Sequence, residues 1–196
     1  VIVMSAVIHE VMHGVAAERL GDPTARLQGR ITLNPVPHLD PIGSVFLPII
    51  LVLTHAPIFF AWAKPVPYNP YNLRPGRFSE AIVAGAGPAS NLAMALIGGI
   101  FTRLGVLGDM SDIVFTIVLV NVMLFFFNLI PIPPLDGSKV LASILPRGLA
   151  LSYARLRTYL EWNPLLGFGA VVLLIVLAGG TFSDLIWSIT RAIVGA

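Results

Sequence analysis

Five long apolar runs dominate this chain, at 1–20, 42–63, 79–102, 111–131 and 165–190, each bounded by turn-forming residues. Each has the length to cross a hydrocarbon layer about 30 Å thick, so a soluble globule is not among the folds open to it. Composition agrees, because 56% hydrophobic residues against 11% charged ones lie far outside the soluble range. The formal charge of +2 comes from scattered residues without a basic stripe, which predicts no nucleic-acid partner. Cysteine is absent, so any transition metal must be held by imidazole and carboxylate, and a disulfide framework or thiolate nucleophile is excluded. The chain opens on Val1, apolar from the start and without a basic signal-peptide region, and a few upstream residues are expected.

The expected fold is an all-α polytopic membrane protein with about four spanning helices, a re-entrant segment at 42–63 and a short β element near 26–33. Segment 42–63 is set apart because Pro48 and Pro57 divide it and Thr54-His55-Ala56-Pro57 puts turn chemistry in its middle. If it dips and returns, Arg19, Arg26, Arg30, Lys64, Arg74, Arg77, Lys139, Arg147, Arg155 and Arg157 share one side, and only Arg103 and Arg191 lie on the other. That asymmetry assigns the first side to the cytoplasm, and it vanishes if all five runs cross. Residues 21–40 alternate polar and apolar from Arg26 to Leu33 and then break on Pro35, Pro37 and Pro41, which suggests a strand or hairpin at the interface. Residues 64–77 read as a polar loop, and Arg155, Arg157 and Glu161 point to a surface helix with Trp162 as an interfacial anchor. The whole, 1–196, reads as one membrane-embedded domain with core motifs in 1–145 and a helical C-terminal part, 146–196.

Chemistry concentrates first in His9-Glu10-Val11-Met12-His13. Residues four apart on a helix lie about 40° apart around its axis, so both imidazoles face one way and can share a zinc, with Glu10 flanking the same point. Three ionisable groups inside an apolar helix are costly and call for a partner such as a metal. A catalytic zinc takes three protein ligands and keeps one position open, and His38, His55, Asp40, Asp136 and a few outlying carboxylates are the candidates for the third. Asp136 follows Asn128-Leu-Ile-Pro-Ile-Pro-Pro-Leu, where the prolines must unwind the helix and let a side chain turn inward, although it could instead cap a helix starting near Ser138.

The His-Glu-x-x-His helix, the Asn128–Gly137 segment and Gly87-Pro-Ala-Ser-Asn91 between them together resemble the site-2 protease family of intramembrane zinc metalloproteases, over residues 1 to about 145. The resemblance implies one zinc per chain on His9, His13 and Asp136, with Glu10 as general base. It also places Asn128 near the zinc, where its amide would polarise the scissile carbonyl or stabilise the oxyanion, against the alternative of a helix–helix hydrogen bond. Asn91 is either a packing residue or a wall of the cavity. His38 reads as a satisfied interface histidine or a spare ligand, and His55 as lining or gating the site.

The implied activity is hydrolysis of peptide bonds in or near transmembrane segments of other membrane proteins, in regulated intramembrane proteolysis. Its setting is the bilayer of a prokaryotic cell membrane, with the active site open to the cytoplasm. An unwound substrate would add as a strand to an edge within 26–33. No stretch has the length for an inserted peptide-binding (PDZ) domain between the motifs or a regulatory (CBS) domain after 165–190, so a compact catalytic core is expected. Two rivals come from other classes. A divalent-metal transporter also uses intramembrane His and Asp, but it has no need of Glu10 and would want a repeat or second site. A catalytically silent helix-binding scaffold is opposed by an intact Glu10. Substrate, cleavage site and oligomeric state are not legible.

Overall fold

The computed structural model describes residues 1–55, 61–106 and 108–195. The described residues form helices joined by turns, with no strand among them. Eight α-helices follow in order: α1 (Ile2–Arg19), α2 (Thr24–Leu27), α3 (Leu47–Leu53), α4 (Ser79–Arg103), α5 (Ser111–Asn128), α6 (Asp136–Ile144), α7 (Arg147–Trp162) and α8 (Pro164–Val194). Among the described residues, three segments are long and apolar enough to cross a membrane: Ser79–Arg103, Gly108–Asn128 and Leu165–Val194. The expected fourth span forms as α1, but it is not among those three. His9, Glu10, His13, Glu18 and Arg19 dilute its apolar character.

Helix α4 is the hub, packed against α1, α5, α6 and α8. Its buried positions include Ala84, Gly87, Asn91, Ala95 and Gly98, a stripe of small residues at helical spacing. In an apolar solvent there is little hydrophobic drive between helices, so close backbone approach and interhelical hydrogen bonds hold them together. The facing stripe on α1 is Ser5, His9, His13 and Ala17, four residues apart and all buried. Further along the same stripe, Ala95 packs with Val118 and Val122 of α5 and Ile186 and Val194 of α8. Leu96, Ile97, Ile100, Leu173 and Leu177 stay exposed, as residues that meet hydrocarbon should.

The β element expected near 26–33 is not there. Thr24–Leu27 is a helical turn closed by Gly29 N–H to the Arg26 carbonyl (2.9 Å) and Arg30 N–H to the Ala25 carbonyl (2.8 Å). Beyond it, side chains capture the backbone locally: Thr32 Oγ1 accepts from Asn34 N–H, and Asn34 Oδ1 from Val36 N–H. Pro35 and Pro37 have no N–H to give, so this stretch offers few donors to a ladder. Between Arg26 and Leu33 only Arg30 is buried, so the alternation in sequence does not correspond to a buried and an exposed face.

The expected re-entrant segment lies partly outside the described residues, at 56–60. Its two ends meet. Trp62 N–H donates to the Gly43 carbonyl (3.2 Å) and Ser44 Oγ–H to the Trp62 carbonyl (2.7 Å). Residues 64–77 form an ordered loop without regular structure apart from one turn at Pro70–Asn72. Asp22, fully buried, ties that loop to the end of α1 by accepting from Asn69 N–H (2.6 Å) and Asn72 Nδ2–H (2.9 Å). Burial alone would raise the Asp22 pKa, but these bonds and those from Thr24 hold it below the usual value.

Candidate metal centre

Three elements converge on one point. α1 brings His9 and His13 on its buried stripe, and α5 ends at Asn128, after which Pro131, Pro133 and Pro134 break the helix. The chain then turns through short bonds, Ile132 N–H to the Ile130 carbonyl and Leu135 N–H to the Ile132 carbonyl, and α6 starts on Asp136. Gly137 makes the corner possible, because a Cβ there would fall 2.6 Å from the Ile130 carbonyl oxygen and closer still to Leu129. The Asp136 side chain does not serve as an N-cap, since Leu135 holds that position and the carboxylate turns to the histidines.

The three ligand atoms make a nearly regular triangle. His9 Nε2 and His13 Nε2 each lie 3.1 Å from Asp136 Oδ2 and 3.0 Å from one another. Tetrahedral zinc with bonds of about 2.0–2.1 Å separates its ligands by roughly 3.3 Å, so the triangle needs only a few tenths of an ångström of expansion. The outer ring nitrogens say what the inner ones are. His13 Nδ1 is 2.7 Å from the Val83 carbonyl, which can only accept, so His13 in its neutral form turns the lone pair of Nε2 inward. His9 Nδ1 meets Asn91 Oδ1 at 2.6 Å. Two imidazole lone pairs and a carboxylate oxygen at hydrogen-bond distance, all buried, are a donor set that demands a cation. Zinc fits it.

Glu10 stands beside the triangle, with Oε2 accepting from Val66 N–H at 2.8 Å. Val66 is held from the other side, since Arg30 Nη2–H donates to the carbonyls of Lys64 (2.8 Å) and Pro65 (3.3 Å). A cavity of about 140 Å³ opens here, lined by His9, Glu10, His13, Asp136, Asn128 and Lys139 together with the 65–68 loop. Asn128 lines it while one amide hydrogen bonds back to the Leu124 carbonyl (2.9 Å). Lys139 places Nζ 5.3 Å from the centre of the Tyr68 ring, and Tyr68 and Arg157 both bond to Glu80. Arg157 also bonds Glu161 (2.9 Å); burial works against its charge, but these carboxylates lift its pKa above the arginine norm.

The other expected site residues fall elsewhere. Asn91 is fully buried behind His9 and is not a cavity wall. His38 is buried with Nε2 on the Thr32 carbonyl (2.9 Å), outside the metal-capable cluster, and His55 is exposed at the end of α3. Unforeseen were the Val83 carbonyl, the Val66 amide, the Lys139–Tyr68 pair and the intimacy of Gly87 with the histidines. Only the motif around Gly87 carried a signal, as a site of close helix approach.

Comparisons with known proteins bear on the same residues. Residues 103–154 match peptidase family M50, a stretch that holds Asn128 and Asp136. The chain is 33% identical to the Bacillus subtilis protein named "Putative zinc metalloprotease YwhC", over 97% of this chain and 84% of that one. It is 32% identical to "Putative zinc metalloprotease Rip2" of Mycolicibacterium smegmatis, over 68% of this chain and 51% of that one. With the Mycobacterium tuberculosis Rip2 the identity is 29%, over 70% of this chain and 53% of the relative. No solved structure matches. By the extent of its likeness to YwhC and by the segment carrying Asn128 and Asp136, the chain belongs to peptidase family M50, the site-2 protease family.

Proposed function

We propose that this protein is an intramembrane zinc endopeptidase that hydrolyses a peptide bond in or beside a transmembrane segment of another membrane protein. The observation that carries the reading is the convergence of two imidazole lone pairs and one carboxylate beside Glu10, among helices apolar enough to sit in a bilayer. When bound by His9, His13 and Asp136, zinc would supply a Lewis acid and bring the pKa of a water towards neutrality.

The chain's own groups divide the remaining work. Glu10 takes the proton of the attacking water and passes it to the leaving amine, a role that needs a carboxylate held in place. The Val66 amide holds it, through Oε2. Asn128 keeps one amide hydrogen on the Leu124 carbonyl and turns the other to the oxygen of the scissile carbonyl, stabilising the charge that develops there. A substrate helix must unwind before it can react, because a helix engages its own carbonyls. The loop 64–68, seated against Glu10, forms the wall past which that unwound stretch and the water pass. The excess of basic residues expected on this side supports a mouth that opens to the cytoplasm, in a multi-pass protein of a prokaryotic membrane.

The test is cleavage of transmembrane peptides by the full chain in detergent, before and after removal of metal. Cleavage within or beside the apolar segment, abolished by a chelator and restored by zinc, is expected. Cleavage that persists without metal, or that is confined to soluble peptides, would contradict the proposal.

A further inference from the structure

Behind His9 runs a chain of buried amides that ends on backbone carbonyls. Asn91 Oδ1 meets His9 Nδ1 at 2.6 Å, and Asn91 Nδ2 donates to Asn121 Oδ1 at 2.8 Å. Asn121 Nδ2 donates in turn to the Ile117 carbonyl at 2.8 Å and to Ser5 Oγ at 3.0 Å. Asn91 Nδ2 also reaches the Ser5 carbonyl at 3.4 Å. Both asparagines are fully buried, and neither lines the cavity. The three side chains come from α4, α5 and α1, so the network joins the three helices around the metal centre.

The direction of every bond in this chain is forced. A carbonyl can only accept, so the Ile117 carbonyl draws the NH2 end of Asn121 and turns Oδ1 towards Asn91. That oxygen also only accepts, so Asn91 must face it with its own NH2, a choice the Ser5 carbonyl enforces a second time. Asn91 Oδ1 is thereby aimed at His9, and it too only accepts. In its neutral form His9 then carries its proton on Nδ1, which leaves the lone pair of Nε2 for the metal. The directions do not depend on which amide atom is called oxygen or nitrogen, because the backbone carbonyls decide them.

We propose that Asn121, acting through Asn91, is a positioning residue for the metal centre: it transmits the polarity of the Ile117 carbonyl to His9 and so presets the metal-binding tautomer. The inference rests on His9, His13 and Asp136 being the zinc ligands. His13 is preset in one step by the Val83 carbonyl, whereas His9 is reached through Asn91, which Asn121 holds at 2.8 Å and the Ser5 carbonyl only at 3.4 Å. Outer partners of this kind set both ring orientation and ligand basicity. A network that only glued the helices together would support stability without touching metal affinity.

The experiment uses the full chain in detergent and reads zinc affinity by competition with a chelator, and the visible spectrum of the cobalt(II)-substituted protein. Asn121→Leu, which is close in shape but cannot orient Asn91, is expected to weaken zinc binding by about 10- to 100-fold and to alter the cobalt bands, with helix content retained. Asn121→Ser, too short to reach Asn91, is expected to do the same and serves if the leucine variant does not fold. Asn91→Leu, which offers His9 Nδ1 no acceptor at all, is expected to weaken zinc binding at least as much. Parent-like affinity and cobalt spectrum in a folded Asn121 variant would overturn the proposal, as would parent-like affinity in Asn91→Leu. A parent that binds no zinc would overturn the ligand assignment itself, a failure recognisable without any variant.

Discussion

Glu10→Gln is expected to leave zinc binding at the parent level and to lower peptide cleavage by roughly 100- to 10,000-fold, the range for loss of a positioned general base. The two halves of that result come from different parts of the structure. Glu10 is not one of the three residues whose ligand atoms converge, so the metal should stay. The glutamine is nearly isosteric and can still accept from the Val66 amide through its carbonyl oxygen, so loop 64–68 should keep its seat. What glutamine cannot do is take a proton. Zinc content and cleavage rate, measured on the same preparation, separate this from a folding defect. Joint loss of metal and activity would mean that Glu10 is a ligand or a structural group and not a base.

The second large effect belongs to a residue with no side chain. A Cβ on Gly87 would stand 2.5 Å from His13 Nε2 and 2.6 Å from His9 Nε2, where the lone pairs converge. Gly87→Ala therefore has two ways to respond, and neither leaves a metal site. Either the methyl occupies the space between the imidazoles, or α4 withdraws from α1 and carries with it the Val83 carbonyl and Asn91 that orient the rings. Overpacking of this kind costs about 1–3 kcal/mol of stability, which a protein held by the α4 hub should tolerate. The expected outcome is a helical protein without stoichiometric zinc and without measurable cleavage. Parent-like zinc content in Gly87→Ala would show that the metal lies elsewhere.

Much of this site could be read from the sequence because its parts are local signals. Two histidines four apart fall on one helix face whatever surrounds them, and an aspartate after three prolines must leave the helix that precedes it. The supporting shell left no such trace. Val66 contributes a backbone amide and Val83 a backbone carbonyl, groups that every residue has, so only their placement makes them functional. Asn121 looks in sequence like a polar interruption of an apolar run, and its part becomes visible only when α4 brings Asn91 beside it. The β element failed for the converse reason. Alternation from Arg26 to Leu33 is a local signal, but a strand needs a partner, and Gly29, Arg30 and Asn34 bond within their own segment. In α1 the expected helix formed, and the same charges that make the site lower its hydropathy below that of the three other long apolar helices.

The coordination of the metal can be measured directly, by X-ray absorption at the zinc edge on the full chain loaded with one equivalent of zinc. If His9, His13 and Asp136 hold the ion, the spectrum will show a four-coordinate shell of nitrogen and oxygen at about 2.0–2.1 Å, with the outer scattering of two imidazoles, and Asp136→Ala will change that shell. A six-coordinate oxygen shell without imidazole scattering, or a shell that survives Asp136→Ala unchanged, would contradict it.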